Sequence, residues 1–189
     1  NLKDQETKVG KQIHAVEEVL SKTEHFIEKN QKIILYIVGA LVVIVGGYMA
    51  FNKFYLGPKE KEAQTQVFYA ERYFEKDSLD LALNGDNNYM GFLDIIDEYG
   101  MTKTDDLAHY YTGMIYLKKG QFQDAIDQLE DFDGDDIIVS SMAKGAIGDA
   151  YMELDDNDKA LKYYKKAADD NSNYFTTPMF LMKAGWTYE

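Results

Sequence analysis

The chain has 189 residues, 46% of them apolar, with no Cys and two Pro, which suits one domain with an appendage rather than two large domains. Its net charge of −13 is uneven: residues 1–61 carry nine Lys against seven acids, and residues 62–189 carry 11 Lys and Arg against 26 acids. A body this acidic repels phosphate backbones, so no nucleic-acid partner is expected, and the lack of Cys excludes disulfides and thiolate metal sites.

Residues 1–32 predict an amphipathic helical arm, in which Val9, Ile13, Val16, Leu20, Thr23 and Ile27 recur at alternating spacings of four and three. The seam is under three heptads long. It fits a short coiled coil, a helix on a membrane surface, or a helix against a partner helix. Residues 33–51, IILYIVGALVVIVGGYMAF, run without a charge and match a hydrocarbon core of roughly 30 Å at ~1.5 Å per residue. Lys29, Lys32 and Lys53 flank this run, and Tyr36, Tyr48 and Tyr55 stand near the expected interfaces. We read one transmembrane helix through a lipid bilayer. A cleaved signal peptide fits poorly, because the run is too long and no A-x-A pattern follows it. Gly39, Gly46 and Ala50 make a narrow face suited to contact with another transmembrane helix, although glycine is also ordinary in spans. Lysines before and after the span balance, so the positive-inside count ties; a short arm before a single span usually stays cytoplasmic, which would export the acidic body.

Residues 52–61, with Gly57 and Pro58, read as a linker, and residues 62–189 as a repeat domain. HYYTGMIYLKKGQFQDAIDQL (residues 109–129) aligns without gaps on KGAIGDAYMELDDNDKALKYY (residues 144–164) at a shift of 35. Gly113 pairs with Gly148, Tyr116 with Tyr151, Ala125 with Ala160, and Leu129 with Tyr164. This period and these offsets resemble the tetratricopeptide repeat. The glycines let helix A approach its neighbour, the tyrosines fill the gap between paired helices, and the alanines sit where helix B crosses helix A. The fold class is therefore all-α: an arm and one transmembrane helix, then a tetratricopeptide-type helical-hairpin solenoid.

Stepping back 34 residues gives a degenerate first pair. Residues 62–83 would be its helix A, with Ala70 and Tyr73 at the glycine and tyrosine positions. Residues 84–90 would be an expanded turn, and Gly91 and Ile95 would take the crossing and following apolar positions. Stepping forward, Gly185 and Tyr188 match the glycine and tyrosine positions, so MFLMKAGWTYE (residues 179–189) reads as helix A of a last, incomplete repeat. Either the native chain continues with a helix B and a cap or a partner covers the face, and continuation is the expectation.

Candidate chemistry is sparse. DFDGDD (residues 131–136) would need Gly at the sixth position and Glu at the twelfth to be a calcium loop, and it has Asp136 and Met142, so it reads as an acidic turn. LDDND (residues 154–158) is likewise a solvated turn. His14, His25 and His109 are scattered, and no nucleophile elbow or phosphate-cradling loop is present. No enzyme activity, catalytic residue, cofactor or metal site is expected.

The resemblance implies a concave groove lined by helix A. The matching positions are Leu107, Tyr110, Met114 and Leu117, then Met142, Gly145, Asp149 and Met152, then Met179, Met182, Trp186 and Glu189. Such a Met-rich surface could repack around varied peptides, or the same side chains could pack on neighbouring helices. The family's carboxylate-clamp subclass puts Lys and Asn where this chain has Tyr110, Met114, Gly145 and Asp149, which argues against capture of acidic chaperone tails. In layout the chain resembles the single-span tetratricopeptide ancillary subunits of the bacterial Sec translocon. The likeness implies an inner-membrane protein with a cytoplasmic N-terminus and a periplasmic body. Its implied partners are translocon subunits, a periplasmic chaperone and exported chains. The alternative reading is a structural assembly factor for another cell-envelope complex.

Overall fold

The computed structural model describes residues 2–170 and 172–187, and for residues 2–25 the backbone alone. The described chain is helical with loops, and it divides into two compact units, Asn1–Asn52 and Lys53–Glu189.

The first unit is a single helix, α1 (Leu2–Phe51). It contains a stretch long and apolar enough to cross a membrane, none of which is buried. Leu35, Tyr36, Val43 and Ile44 are all exposed on it. A helix apolar on every side needs an apolar medium or partner around it. Space is open where a Cβ would stand on Gly39 and Gly46, and Ala50 is exposed. Of the seam on the arm, the side chains of Val9, Ile13, Val16, Leu20 and Thr23 lie outside those described, and Ile27 is exposed.

The residues read as a linker are helical. A π-helical turn (Asn52–Leu56) is followed by α2 (Gly57–Glu75). Pro58 falls in the first turn of α2, where a missing N–H is tolerated. Glu60, one turn in, has a long-range role. Its carboxylate accepts from the backbone N–H groups of Lys103 at 2.8 Å and Thr104 at 3.3 Å, and from the Thr104 hydroxyl at 2.9 Å. It thereby satisfies two of the free donors that open α5 (Lys103–Lys118), where helix polarity also favours an anion.

The remaining helices are α3 (Leu79–Asn84), α4 (Phe92–Tyr99), α6 (Phe122–Glu130), α7 (Ile137–Glu153), α8 (Asn157–Asp169) and α9 (Thr176–Trp186). Each packs on its chain neighbours, and α2, α5, α7 and α9 also pack each on the next of the four. That pattern makes these four the A helices of a stacked array. Thr102, Asp136 and Asp156 cap α5, α7 and α8 by accepting from the backbone N–H of Asp105, of Ile138 and Val139, and of Lys159, respectively. Each cap contributes about 0.5–2 kcal/mol. Two of the acidic turns therefore start helices as well as solvating loops.

One turn closes three A helices and corrects the register of the first pair. After α2, the N–H groups of Asp77 and Ser78 donate to the carbonyls of Phe74 and Tyr73, both at 2.9 Å. Gly120 and Gln121 do the same with Leu117 and Tyr116, and Asp155 and Asp156 with Met152 and Tyr151. The first residue of each pair has positive φ: 57° at Asp77, 75° at Gly120 and 57° at Asp155. Tyr73, Tyr116 and Tyr151 are thus equivalent, and the fourth residues of the following helices are Ala82, Ala125 and Ala160, all fully buried. Helix A of the first pair ends at Glu75, not at residue 83, and α3 begins its helix B. The crossing position belongs to Ala82. Gly91 is instead the N-cap of α4, packed so closely on the backbone of Leu83 and Gly85 that no Cβ would fit. The expansion lies inside helix B, splitting it into α3 and α4, because Gly85 leaves the helix at φ 70°.

Candidate functional site

The positions that set helix spacing come first, since they decide which side chains remain for a partner. A Cβ on Gly113 would come within 2.5 Å of Leu129 Cγ, and one on Gly148 within 2.6 Å of the Tyr164 ring. Ala125 and Ala160 are fully buried. Tyr116 packs half-buried against the first core cluster. Tyr151 touches both later clusters and stacks on Tyr163 with ring centroids 5.6 Å apart. A Cβ on Gly145 would run into the buried Phe180 ring, so this residue holds α7 against α9 rather than lining a groove. The repeat offset gives Gly145 a groove position; the contact with Phe180 depends on where α9 docks. Gly185 has open space around it, and Tyr188 and Glu189 lie outside the described residues.

The helix A row is covered to different degrees along the array. Tyr110, Met114 and Leu117 are half-buried against the cluster of Ile126, Leu129, Ala143, Ala146 and Ile147. Met142, Met152 and Met179 pack half-buried around Phe180 and Ala184. Met182 and Trp186 stand 51% and 62% exposed, and Leu181 beside them is also exposed. Among the described residues of the row, the exposed apolar side chains therefore lie at α9.

Asp149 is engaged within the body. Lys183 Nζ lies 2.6 and 2.7 Å from its two oxygens, and the Tyr164 hydroxyl donates to Oδ1 at 2.7 Å. The same ammonium sits 5.7 Å from the centre of the Tyr164 ring. Burial, reinforced by the hydrogen bond to Asp149, pushes the Tyr164 phenol well above its ordinary range. This triad ties α7, α8 and α9 together.

A second surface was not anticipated from the sequence. The loops that lead into α7 and α9 form two clefts that meet at Asp135 and Asp136. One, of about 300 Å³, is lined by Leu107, Phe132 and Val139 with Asp106, Asp133 and Lys103 around it. The other, of about 610 Å³, is lined by Ile137, Ile138, Tyr174 and Phe175, all four exposed, together with Asn173. Phe132 anchors the first loop by packing on the α6–α7 cluster, its ring 5.6 Å from that of Tyr110. Lys103 reaches Asp135 at 3.5 Å on the open surface. Burial first, then the neighbouring charges of Asp105 and Asp133, raises the Asp106 pKa above the usual carboxylate value. Asp105 is raised by burial too, partly offset by His109, whose Nε2 lies 3.6 Å from Asp105 Oδ1 and whose Nδ1 lies 2.9 Å from Gln128 Oε1. Among the described residues no group of three or more His, Asp or Glu is placed to hold a metal ion.

The family model described as tetratricopeptide repeat matches residues 143–169, from the second turn of α7 through α8. Neither a curated protein nor a solved structure gives a match. The chain thus carries a tetratricopeptide repeat within an all-helical array of helix pairs, behind one long apolar helix that could span a membrane.

Proposed function

We propose that the protein is a non-catalytic, membrane-anchored scaffold for protein–protein interaction. Its α1 helix crosses the bacterial inner membrane with the N-terminus cytoplasmic, and its acidic body lies in the periplasm. The observation that carries this reading is the stacked array itself. It presents exposed Met182 and Trp186 at one end of the helix A row, behind a helix whose apolar side chains face outward on every side. Exposed Met and Trp side chains offer adaptable contact area, and anchoring in a bilayer raises local partner concentration.

The layout supports a place beside the Sec translocon and its periplasmic chaperones, where the body would meet chains as they leave the membrane. Gly39, Gly46 and Ala50, open on α1, would supply the contact with another transmembrane helix. Crosslinking in cells, followed by purification in mild detergent, is expected to recover translocon subunits. Recovery of a different envelope complex would replace that assignment with an assembly factor. Protease added to intact spheroplasts should digest the body; full protection would overturn the topology and with it the translocon reading.

A further inference from the structure

We propose that the paired clefts at the α6–α7 and α8–α9 loops form one docking site for a polypeptide segment whose bulky apolar side chains are flanked by Lys or Arg. The inference rests on the scaffold reading and names a partner chemistry for it. Ile137 and Ile138, which open α7, stand exposed together with Tyr174 and Phe175 of the α8–α9 loop, at a surface that in a solvated array would be polar. Along the two clefts, among the described residues that line them, the carboxylates of Asp106, Asp133, Asp135 and Asp136 meet one cation, Lys103, which is already paired to Asp135.

Charge decides between occupants. An anionic lipid surface or an acidic peptide would be repelled by this rim. A purely apolar segment would cover the patch but strip water from carboxylates without replacing it. A cationic, apolar segment meets both demands, with charge setting encounter rate and register. The site is also shaped in advance. Phe132 roots the first loop in the core, and Gly134 lies so close over that ring that no Cβ would fit. Only Leu107 is shared with the helix A row, so the two surfaces can be tested apart.

The test uses the full chain in nanodiscs of zwitterionic lipid and a fluorescein-labelled peptide of alternating Lys with Leu or Phe. Anisotropy should report saturable binding that weakens with salt, and a peptide with Glu in place of Lys should not bind. The double variant Asp133→Asn/Asp135→Asn should weaken binding about ten-fold at low salt and less at high salt. Tyr174→Ser/Phe175→Ser should weaken it about ten-fold at either. All four residues are exposed, and unchanged circular dichroism would show that the variants fold. Absence of binding to the Lys peptide overturns the proposal, as does equal binding of the Glu peptide. So does loss only in Met182→Ser/Trp186→Ser, which would move the site to the row. Self-association abolished by Tyr174→Ser/Phe175→Ser would instead make the face a contact between copies. Failure here with crosslinked partners intact removes only this site, whereas a wild-type chain without protein partners removes the scaffold reading.

Discussion

The first helix pair and the two that follow are built on one template and differ at a single place. In the pairs α5–α6 and α7–α8, helix B runs on past its crossing alanine and places Leu129 or Tyr164 against helix A. No Cβ can stand opposite those side chains, and glycine occupies residues 113 and 148. In the first pair α3, the first part of helix B, stops at Asn84, two residues past Ala82, and residue 86 is an aspartate outside the helix. Its carboxylate accepts from the Tyr73 hydroxyl at 2.6 Å and from the N–H groups of Asn88 and Tyr89, while the Tyr89 ring stacks on Tyr69 with centroids 3.5 Å apart. With the counterpart of residues 129 and 164 outside the helix, Ala70 is fully buried where the later repeats have glycine. One interruption of helix B therefore explains both the insertion and the altered repeat residue.

The comparison can be broken by mutation, most severely at the two fully buried phenylalanines. Phe92→Ala in the first pair and Phe180→Ala on α9 should each cost about 3–5 kcal/mol. Urea unfolding followed by circular dichroism would measure this. A single shifted transition in both variants shows that the interrupted pair unfolds with the rest, and a separate early transition in Phe92→Ala alone would show that it does not. Next come the spacing positions. Gly113→Ala and Gly148→Ala should cost about 1–3 kcal/mol by overpacking. Ala70→Gly should cost about 1 kcal/mol through helix propensity. No cost for Gly113→Ala and Gly148→Ala would show that the facing Leu129 and Tyr164 leave room for a Cβ, and would remove the contrast with residue 70.

Smaller still is the insertion. Tyr89→Ala should cost about 1 kcal/mol or less and raise amide exchange in residues 85–91 without touching α5 or α6. The last effect is one of pH. Asp106 has its pKa raised in the fold, so it binds its proton more tightly there than when unfolded. The stability it contributes is present below the ordinary aspartate value and is lost as the pH rises through the raised folded one. Asp106→Asn should therefore raise the melting temperature slightly at pH 7, by about 1–2 °C, and the gain should fade as the pH drops into the carboxylate range. A gain that grew on acidification would contradict the sign.

Much of this body was legible because repeats announce themselves twice. Gly113 with Gly148 and Ala125 with Ala160 are small where two helices cross, and no partner beyond the repeat is needed to see why. The first pair was misread for a reason the sequence could not display. A fixed step of 34 assumes that the insertion lies in the turn, whereas the left-handed Asp77 and the following Leu79–Asn84 helix put it in helix B. Residues 52–61 looked like a linker from Gly57 and Pro58, yet Glu60 caps a helix 43 residues away. Asp149 looked like groove lining because its offset says so, and its pairing with Lys183 depends on where α9 docks.

What the sequence by itself determined is local and periodic: one long apolar helix, acidic helix pairs, small residues at the crossings and polar turns between them. These depend on neighbours within a few turns or on the next copy of the same unit. The tertiary structure decided what depends on distant residues meeting. It divided the helix A row into packed and exposed parts, turned Gly145 into a seat for Phe180, and joined residues 103–107, 131–139 and 173–175 into one acid-rimmed apolar face. Burial and charge at such a face are sums over several loops, and no single stretch of sequence contains the sum.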